Sequence, residues 1–357
     1  MSVAVLGSGN GALAVAFEWA QAGHEVRMFD FEQFDSVAKV GAKGGISADG
    51  ELSGFQPVAY AGHDLQRALE GVELIFAVGP AYSTEPFAAA CRPFTRPGQT
   101  FVVCPGSCAG AIVFKNALGL SIDDESVIVA ETSTLPYAVR ITGDVHITVY
   151  NRLGGGYYVA AVPRSLTSRV YDLLRPVYPE IEMADSVLQT MLQNGNPIIH
   201  PAVTLSNSAL IQRTGGDFLF YEEGVTESVG RIIEALDTER LAIGEALGVT
   251  VVRDPELGII QGYQAENNYS TGYSQAPGFK GIKAQPQLDH RYFNEDAGFG
   301  LVLLTDLAVR LDVPTPNMDA VLQLSSTVMG RDYKAEQGRT LEGLGLGNYS
   351  AEQLRAL

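Results

Sequence analysis

The sequence predicts a doubly wound α/β domain followed by an all-α domain, and three observations carry that prediction. Between residue 3 and about residue 130, short apolar runs alternate with helical segments. That is the pattern of a mostly parallel sheet with crossover helices. Beyond residue 182 the apolar residues recur at helical spacing instead. A chain of 357 residues, 46% hydrophobic and 18% charged, is globular in composition and longer than one typical domain. The predicted domains are residues 1–182 and 183–357.

Val3–Leu6 reads as a buried strand, Asn10–Ala22 as a helix rich in small residues and stopped by Gly23, and Glu25–Phe29 as a second strand. Together they form a parallel strand–helix–strand crossover. Residues 35–62 are Gly-rich and less regular, with Asp49-Gly50 marking a hairpin. Alternation resumes with a helix at Asp64–Leu69, a strand at Leu74–Val78, a helix at Phe87–Cys91 and a strand at Thr100–Val103. A helix at Ala109–Ala117 and a strand at Val127–Ala130 follow. Val145–Tyr150 and Gly156–Val162 read as later, partly antiparallel strands on the edge of the same sheet. In the second domain Val229, Ile232, Ile233, Leu236, Ile243 and Leu247 lie on a helical period that Gly248 ends. Leu301–Leu311 and Met318–Met329 are further helices. The stretch 262–287, rich in Gly, Tyr and Asn, reads as a long functional or mobile loop.

Charge excludes some functions. With 24 basic and 41 acidic residues the net charge is −17, so the chain lacks the basic footprint that nucleic acid or an anionic membrane requires. An anionic substrate would need local positive charge from the site itself. Cys91, Cys104 and Cys108 are too few for a disulfide framework, and Cys104 and Cys108 are one residue too far apart for a CxxC motif. They read as buried small hydrophobes. No long apolar run marks a membrane span, and the first strand begins too early for a signal peptide. The expectation is a cytoplasmic protein with no metal site. A homodimer through the C-terminal helices is compatible with the pattern, although no decisive apolar stripe points to one.

The segment Gly7-Ser8-Gly9-Asn10-Gly11-Ala12 follows a strand and opens a helix. The first Gly allows a tight turn, the second lets a pyrophosphate approach the backbone, and the small last residue lets helix and strand pack closely. The helix N-terminus then offers free N–H groups to the phosphates. Asp30 ends the second strand 23 positions after Gly7, where a carboxylate accepts hydrogen bonds from the adenosine ribose. No Arg or Lys occupies 31–38 to receive a 2′-phosphate, so NAD(H) is expected over NADP(H). Gly79 and Pro80, with Pro105-Gly106-Ser107, end neighbouring strands and should line the cofactor's path.

Of five histidines, His24, His63 and His146 sit beside turns or strand ends and read as surface residues. His200 lies in Asn194-Gly-Asn196-Pro-Ile-Ile-His200-Pro201, followed by Thr204 and Asn207. These polar groups gather just after the domain boundary, where a cleft is expected. A helix cap with a satisfied histidine is the plainer alternative. A second cluster, Asp289-His-Arg291-Tyr-Phe-Asn-Glu295-Asp296, offers Arg291 for two-pronged binding of a carboxylate and Asp296 to orient an imidazole. Lys280, Lys283 and His290 could offset the acidic background. Spacing alone leaves a solvated charged turn and a site equally open.

At these clusters the chain resembles the opine dehydrogenases of the octopine/nopaline type over nearly its whole length. The matching segments are Val3–Ala12, Glu131–Ala138, Asn194–Pro201 and Arg291–Asp296. The resemblance implies an α/β Rossmann dinucleotide-binding domain, an all-α C-terminal domain and chemistry in the cleft between them. It implies NADH-dependent condensation of a 2-oxo acid, often pyruvate, with the amino group of an amino acid through an imine. By motif position His200 and Asp296 are the catalytic pair and Arg291 holds the substrate carboxylate. Asn194, Asn196 and Thr204 are substrate-side candidates, and Thr132 joins the cofactor-side set.

Two rivals remain. An amine-independent reductase of the ketopantoate or 6-phosphogluconate type shares the architecture, but its usual proton donor is a lysine. No lysine occurs between Lys115 and Lys280. A non-catalytic NAD(H)-sensing protein is the other, and it would have no need of His200, Arg291 and Asp296 together.

Overall fold

Val3, Ala4, Val5 and Leu6 have no exposed surface, and with Ser2 they form β1 (Ser2–Leu6), from which the main sheet extends to both sides. A strand covered on both faces must be apolar at every position, which is why this run does not alternate. The computed structural model of the chain describes residues 1–336 and 338–357 and divides into two units, Met1–Met191 and Leu192–Leu357.

The first unit contains β2 (Glu25–Phe29), β3 (Gly45–Gly50), β4 (Gly54–Pro57), β5 (Tyr60–Gly62), β6 (Leu74–Ala77) and β7 (Thr100–Val103). β8 (Ile128–Thr132), β9 (Tyr137–Gly143), β10 (His146–Arg152), β11 (Tyr157–Val162) and β12 (Ile181–Met183) follow. Its helices are α1 (Asn10–Gln21), α2 (Ser36–Lys43), α3 (Leu65–Leu69), α4 (Thr84–Cys91), α5 (Gly110–Leu118) and α6 (Thr167–Leu174). Eight strands form one sheet in the order β12-β11-β8-β7-β6-β1-β2-β5. All its pairings are parallel except that of β11 with β8. The chain turns outward in opposite directions from β1 and β6, so the crevice at their carboxyl ends is the topological switch point where such sheets bind ligands.

Two expectations need correction. The strand at 145–150 is not on the edge of the main sheet. As β10 it pairs with β3 and β9 in a separate four-stranded sheet, ordered β4-β3-β10-β9. Ile147 and Val149 are buried while their neighbours are not, so alternation identified the strand but could not name its partner. The Gly-rich stretch 35–62 is also more regular than expected. It contains α2, and β3 pairs antiparallel with β4 as a hairpin around the Asp49-Gly50 signal.

α7 (Val187–Leu192) closes the first unit, and the second is helical, with α8 (Asn196–Ser206), α9 (Ser208–Thr214), α10 (Glu227–Leu247) and α11 (Asp254–Ile260). α12 (Thr271–Ser274), α13 (Arg291–Asn294), a π-helical turn at Asp296–Leu301, α14 (Val302–Arg310) and α15 (Pro316–Met329) complete the set that matters here. The division falls between residues 191 and 192, somewhat beyond the change of period at 182, because β12 still pairs with β11. α10 begins where the Thr226 hydroxyl accepts from the Val229 amide and ends at Gly248 in a left-handed conformation. Its Ile233, Leu236 and Ile243 are fully buried, each contributing about 1.5–3 kcal/mol, whereas Ile232 is partly exposed. The segment 262–287 is mostly irregular, interrupted by α12 and a 3₁₀ turn at Pro277–Phe279.

Candidate active site

In the first unit the glycine turn after β1, the start of α1 and Asp30 at the end of β2 lie together. α1 has no side-chain cap, and its first internal bond runs from the Leu13 amide to the Gly9 carbonyl. The amides ahead of it are therefore directed at whatever lies before the helix. Gly7 adopts φ +115°, and a Cβ there would sit 2.4 Å from the Val78 carbonyl oxygen, so only glycine lets β1 and β6 meet at this turn. Asp30 is 5% exposed. Its carboxylate accepts from the Ser8 hydroxyl at 2.6 Å and the Phe31 amide at 2.9 Å. Burial raises its pKa, with those bonds opposing the rise. Ser8 is in turn 2.5 Å from the Ser36 hydroxyl, so hydrogen bonds tie the glycine turn to both Asp30 and the start of α2. Turn, bare helix end and acid fit a dinucleotide.

Other cofactor-side residues differ in what they can offer. Gly11 is half-buried and Ala12 is packed in the core. Gly9 and Asn10 are exposed, and the Asn10 side chain accepts from the Ile141 amide at 2.8 Å, fastening α1 to β9. Gly79 and Pro80 are half-buried just beyond β6. Thr132 has no exposed surface, and its hydroxyl donates to the Thr134 carbonyl at 3.0 Å. Its side chain is thus committed to shaping the end of β8.

The second unit carries a histidine–aspartate pair. His200 lies on α8, whose start is shaped by Asn194: the Asn194 side-chain oxygen accepts from the Asn196 amide at 3.0 Å. Pro201 follows within the helix and removes an internal N–H just beyond the imidazole. His200 Nδ1 is 2.7 Å from Asp296 Oδ2, with side chains 7% and 3% exposed. Asp296 opens the π-helical turn, a distortion that re-aims side chains and is frequent at functional sites. A carboxylate only accepts, so Nδ1 bears the hydrogen in this bond. Tyr292 stacks on the imidazole with centroids 3.9 Å apart, and Nε2 is 3.0 Å from the Tyr221 hydroxyl.

Arg291 opens α13 in the same segment. Its side chain is 42% exposed and lies 3.5 Å from the buried Glu295 carboxylate, which steadies the guanidinium while leaving surface for an incoming anion. Thr204 sits one helical turn beyond His200 with no exposed surface, accepting from Gln285 Nε2 at 3.1 Å, so it is closed off from a ligand. Asn196 is half-buried at the start of α8.

Beneath that start lies a buried network. Arg240 pairs with Asp237 at 2.6 Å and donates to the carbonyls of Leu192 and Val252. Asp237 accepts from the Asp254 amide and the Tyr269 hydroxyl. Asp254 accepts from Tyr273 at 2.5 Å and lies where a Cβ on Gly195 would be, 1.7 Å away. Burial, then the neighbouring Asp237, pushes Asp254 up to about 6.

Other candidate chemistries find no support. Lys115 is fully buried, donating to the carbonyls of Asp124 and Val162 at 2.5 and 2.7 Å, and burial pulls its pKa down to about 8. It is a structural lysine. Lys283 is an exposed partner of Asp217. The three cysteines are buried and in no disulfide, and burial pushes the Cys91 thiol up to about 12, far from a reactive thiolate. Among the described residues no cluster of acidic, His and Cys side chains could hold a metal ion, and no helix is long and apolar enough to cross a membrane.

Sequence reasoning missed Tyr221 and the stacking role of Tyr292. Tyr221 lies in an irregular segment, and only the fold brings it to a histidine 21 residues away.

The model of the family described as NAD/NADP octopine/nopaline dehydrogenase, alpha-helical domain, matches residues 183–329. An opine dehydrogenase from Arthrobacter sp. (strain 1C) is 33% identical over 99% of this chain and 97% of its own. Protein ocs of Agrobacterium tumefaciens (strain Ach5) is 27% identical over 99% and 98%. A solved octopine dehydrogenase in complex with NADH and agmatine has a TM-score of 0.80 at 17% identity, covering 100% of this chain and 98% of that one. The chain belongs to the opine dehydrogenase family, NAD(P)-dependent oxidoreductases acting on CH–NH bonds.

Proposed function

We propose that this enzyme condenses a 2-oxo acid such as pyruvate with the amino group of an amino acid, reduces the resulting imine, and catalyses the reverse oxidation. The observation that carries the reading is the buried 2.7 Å pair of His200 and Asp296, with Arg291 in the same short segment. Arg291 would hold the oxo-acid carboxylate through charge-assisted hydrogen bonds. As the amine adds to the carbonyl, His200 takes a proton, and it returns one as the hydroxyl departs as water. Asp296 stabilises the imidazolium between those events. Such acid–base help is typically worth about 10²–10⁴ in rate. Gly7–Ala12 would hold the pyrophosphate and Asp30 the adenosine ribose, and the bound cofactor supplies the hydride. A carboxylate at Asp30 repels a 2′-phosphate, which favours NAD(H) over NADP(H). Three buried cysteines outside any disulfide suit a reducing cytoplasm.

The test is NADH oxidation with pyruvate and a panel of L-amino acids, beside an amine-free control. Oxidation that needs both partners and is lost in His200→Ala, with NADH binding retained, is the expected result. Oxidation that proceeds equally without amine would replace this reading with a simple keto-acid reductase. NADH binding without turnover for any pair would leave only a sensor.

A further inference from the structure

A proton carried by His200 has one way out of the ring. Nδ1 is committed to Asp296 at 2.7 Å. Tyr292 covers one face at 3.9 Å, and Phe220 meets the ring edge-on at 6.0 Å. The remaining nitrogen, Nε2, faces the Tyr221 hydroxyl at 3.0 Å. With Nδ1 protonated, the neutral imidazole can only accept at Nε2, so Tyr221 donates to it. When the imidazole is cationic both nitrogens donate, and Tyr221 then accepts from Nε2 and turns its own hydrogen outward.

We propose that Tyr221 is a further catalytic residue, whose hydroxyl touches the reacting oxygen and passes protons between substrate and His200. The proposal rests on the condensation reading above. Its support is positional. The Tyr221 ring lies parallel to Phe279 at 4.3 Å and perpendicular to Phe220 at 5.0 Å, so its hydroxyl has a fixed direction. Tyr221 is 6% exposed. Burial first, then the fields of Tyr292, Asp296 and Asp254, holds the phenol pKa well above 10, so the hydroxyl releases one proton only as it receives another. In the dehydration step Nε2–H passes to the Tyr221 oxygen while the Tyr221 hydrogen passes to the carbinolamine hydroxyl. The C–O bond breaks, water leaves, and the nitrogen lone pair forms the C=N bond. His200 ends neutral and the substrate ends as the iminium cation, so the charge lost by one is gained by the other. Before amine addition the substrate ammonium gives one proton through Tyr221 to His200; the neutral amine then attacks the carbonyl carbon and a second nitrogen proton passes to the new alkoxide, leaving a neutral carbinolamine beside a cationic His200.

The test is Tyr221→Phe, which removes one oxygen and keeps the ring on Phe279, assayed with the oxo acid, amine and NADH that the wild type turns over. The expected result is a kcat loss of about a hundredfold, with KM values, NADH affinity and melting temperature nearly unchanged. An equal or faster kcat would mean that the phenol only occupies the place a substrate takes, and would overturn the relay alone. The wild-type solvent deuterium inventory is an independent readout: curvature from two moving protons is expected, and a linear plot would overturn the relay even if the variant failed to fold. A wild type silent with every oxo acid and amine would overturn the condensation reading and the relay together.

Discussion

Replacing Asp296 by Asn should reduce kcat by about 10²–10³ while leaving the fold and cofactor affinity almost untouched. The side chains of Asp296 and His200 are 3% and 7% exposed and 2.7 Å apart, so water screens the pair poorly. A unit charge about 4 Å from another, at an effective dielectric near 20, is worth about 4 kcal/mol. That interaction is present only when the imidazole is cationic, as it is between proton uptake and release. Its loss therefore falls on the reaction barrier more than on substrate binding. At about 1.4 kcal/mol per tenfold, 3–4 kcal/mol corresponds to the stated rate loss. Asn is nearly isosteric with Asp, and its amide can turn an N–H toward Nδ1, favouring the wrong tautomer. The assay is steady-state kcat and KM for both substrates, with NADH affinity by fluorescence and melting by circular dichroism. A kcat within about threefold of wild type, in a folded variant that binds NADH, would refute the claim that this pair carries the acid–base chemistry.

Other substitutions probe the remaining parts. Arg291→Ala should raise KM for the oxo acid by about 10- to 100-fold, since a charge-assisted hydrogen bond is worth about 1.5–3 kcal/mol; an unchanged KM would move carboxylate binding elsewhere. Asp30→Ala should weaken NADH by about tenfold and narrow its advantage over NADPH, measured as the two dissociation constants; unchanged discrimination would detach Asp30 from cofactor choice. Asp254 is raised to about 6 in the fold from an ordinary value of 3.8, so the folded state binds its proton more tightly than the unfolded chain does. That contribution to stability is complete at low pH and is lost as pH rises through about 6. Asp254→Asn should therefore flatten the fall in melting temperature between about pH 4 and pH 6; a slope equal to that of wild type would show that Asp254 does not titrate there.

Much of the first unit was readable because its information is local. The glycine turn, the strand before it, the helix after it and Asp30 fall within 30 consecutive residues, and each is dictated by backbone geometry or a phosphate's need for N–H groups. β10 shows the limit. Its alternating burial reveals a strand, but a partner is chosen by non-local pairing, and β3 lies about a hundred residues away in sequence. In the second unit His200 and Asp296 were readable as motif positions, and the fold brings them together across 96 residues. Tyr221 and Phe279 were not readable. They stand in irregular segments with no period, and their stacking depends on the path of two loops. Thr204 was misleading for a related reason: helical spacing puts it on the His200 side of α8, but Gln285 covers it.

Following the hydride itself tests the condensation most directly. NADH carrying deuterium at the transferable position would be incubated with pyruvate and the preferred amino acid, and the products analysed by mass spectrometry. Reductive condensation gives a secondary-amine dicarboxylate carrying one deuterium on the carbon derived from the pyruvate carbonyl, formed only when both substrates are present. Deuterated lactate in place of that product, formed whether or not the amine is added, would contradict it.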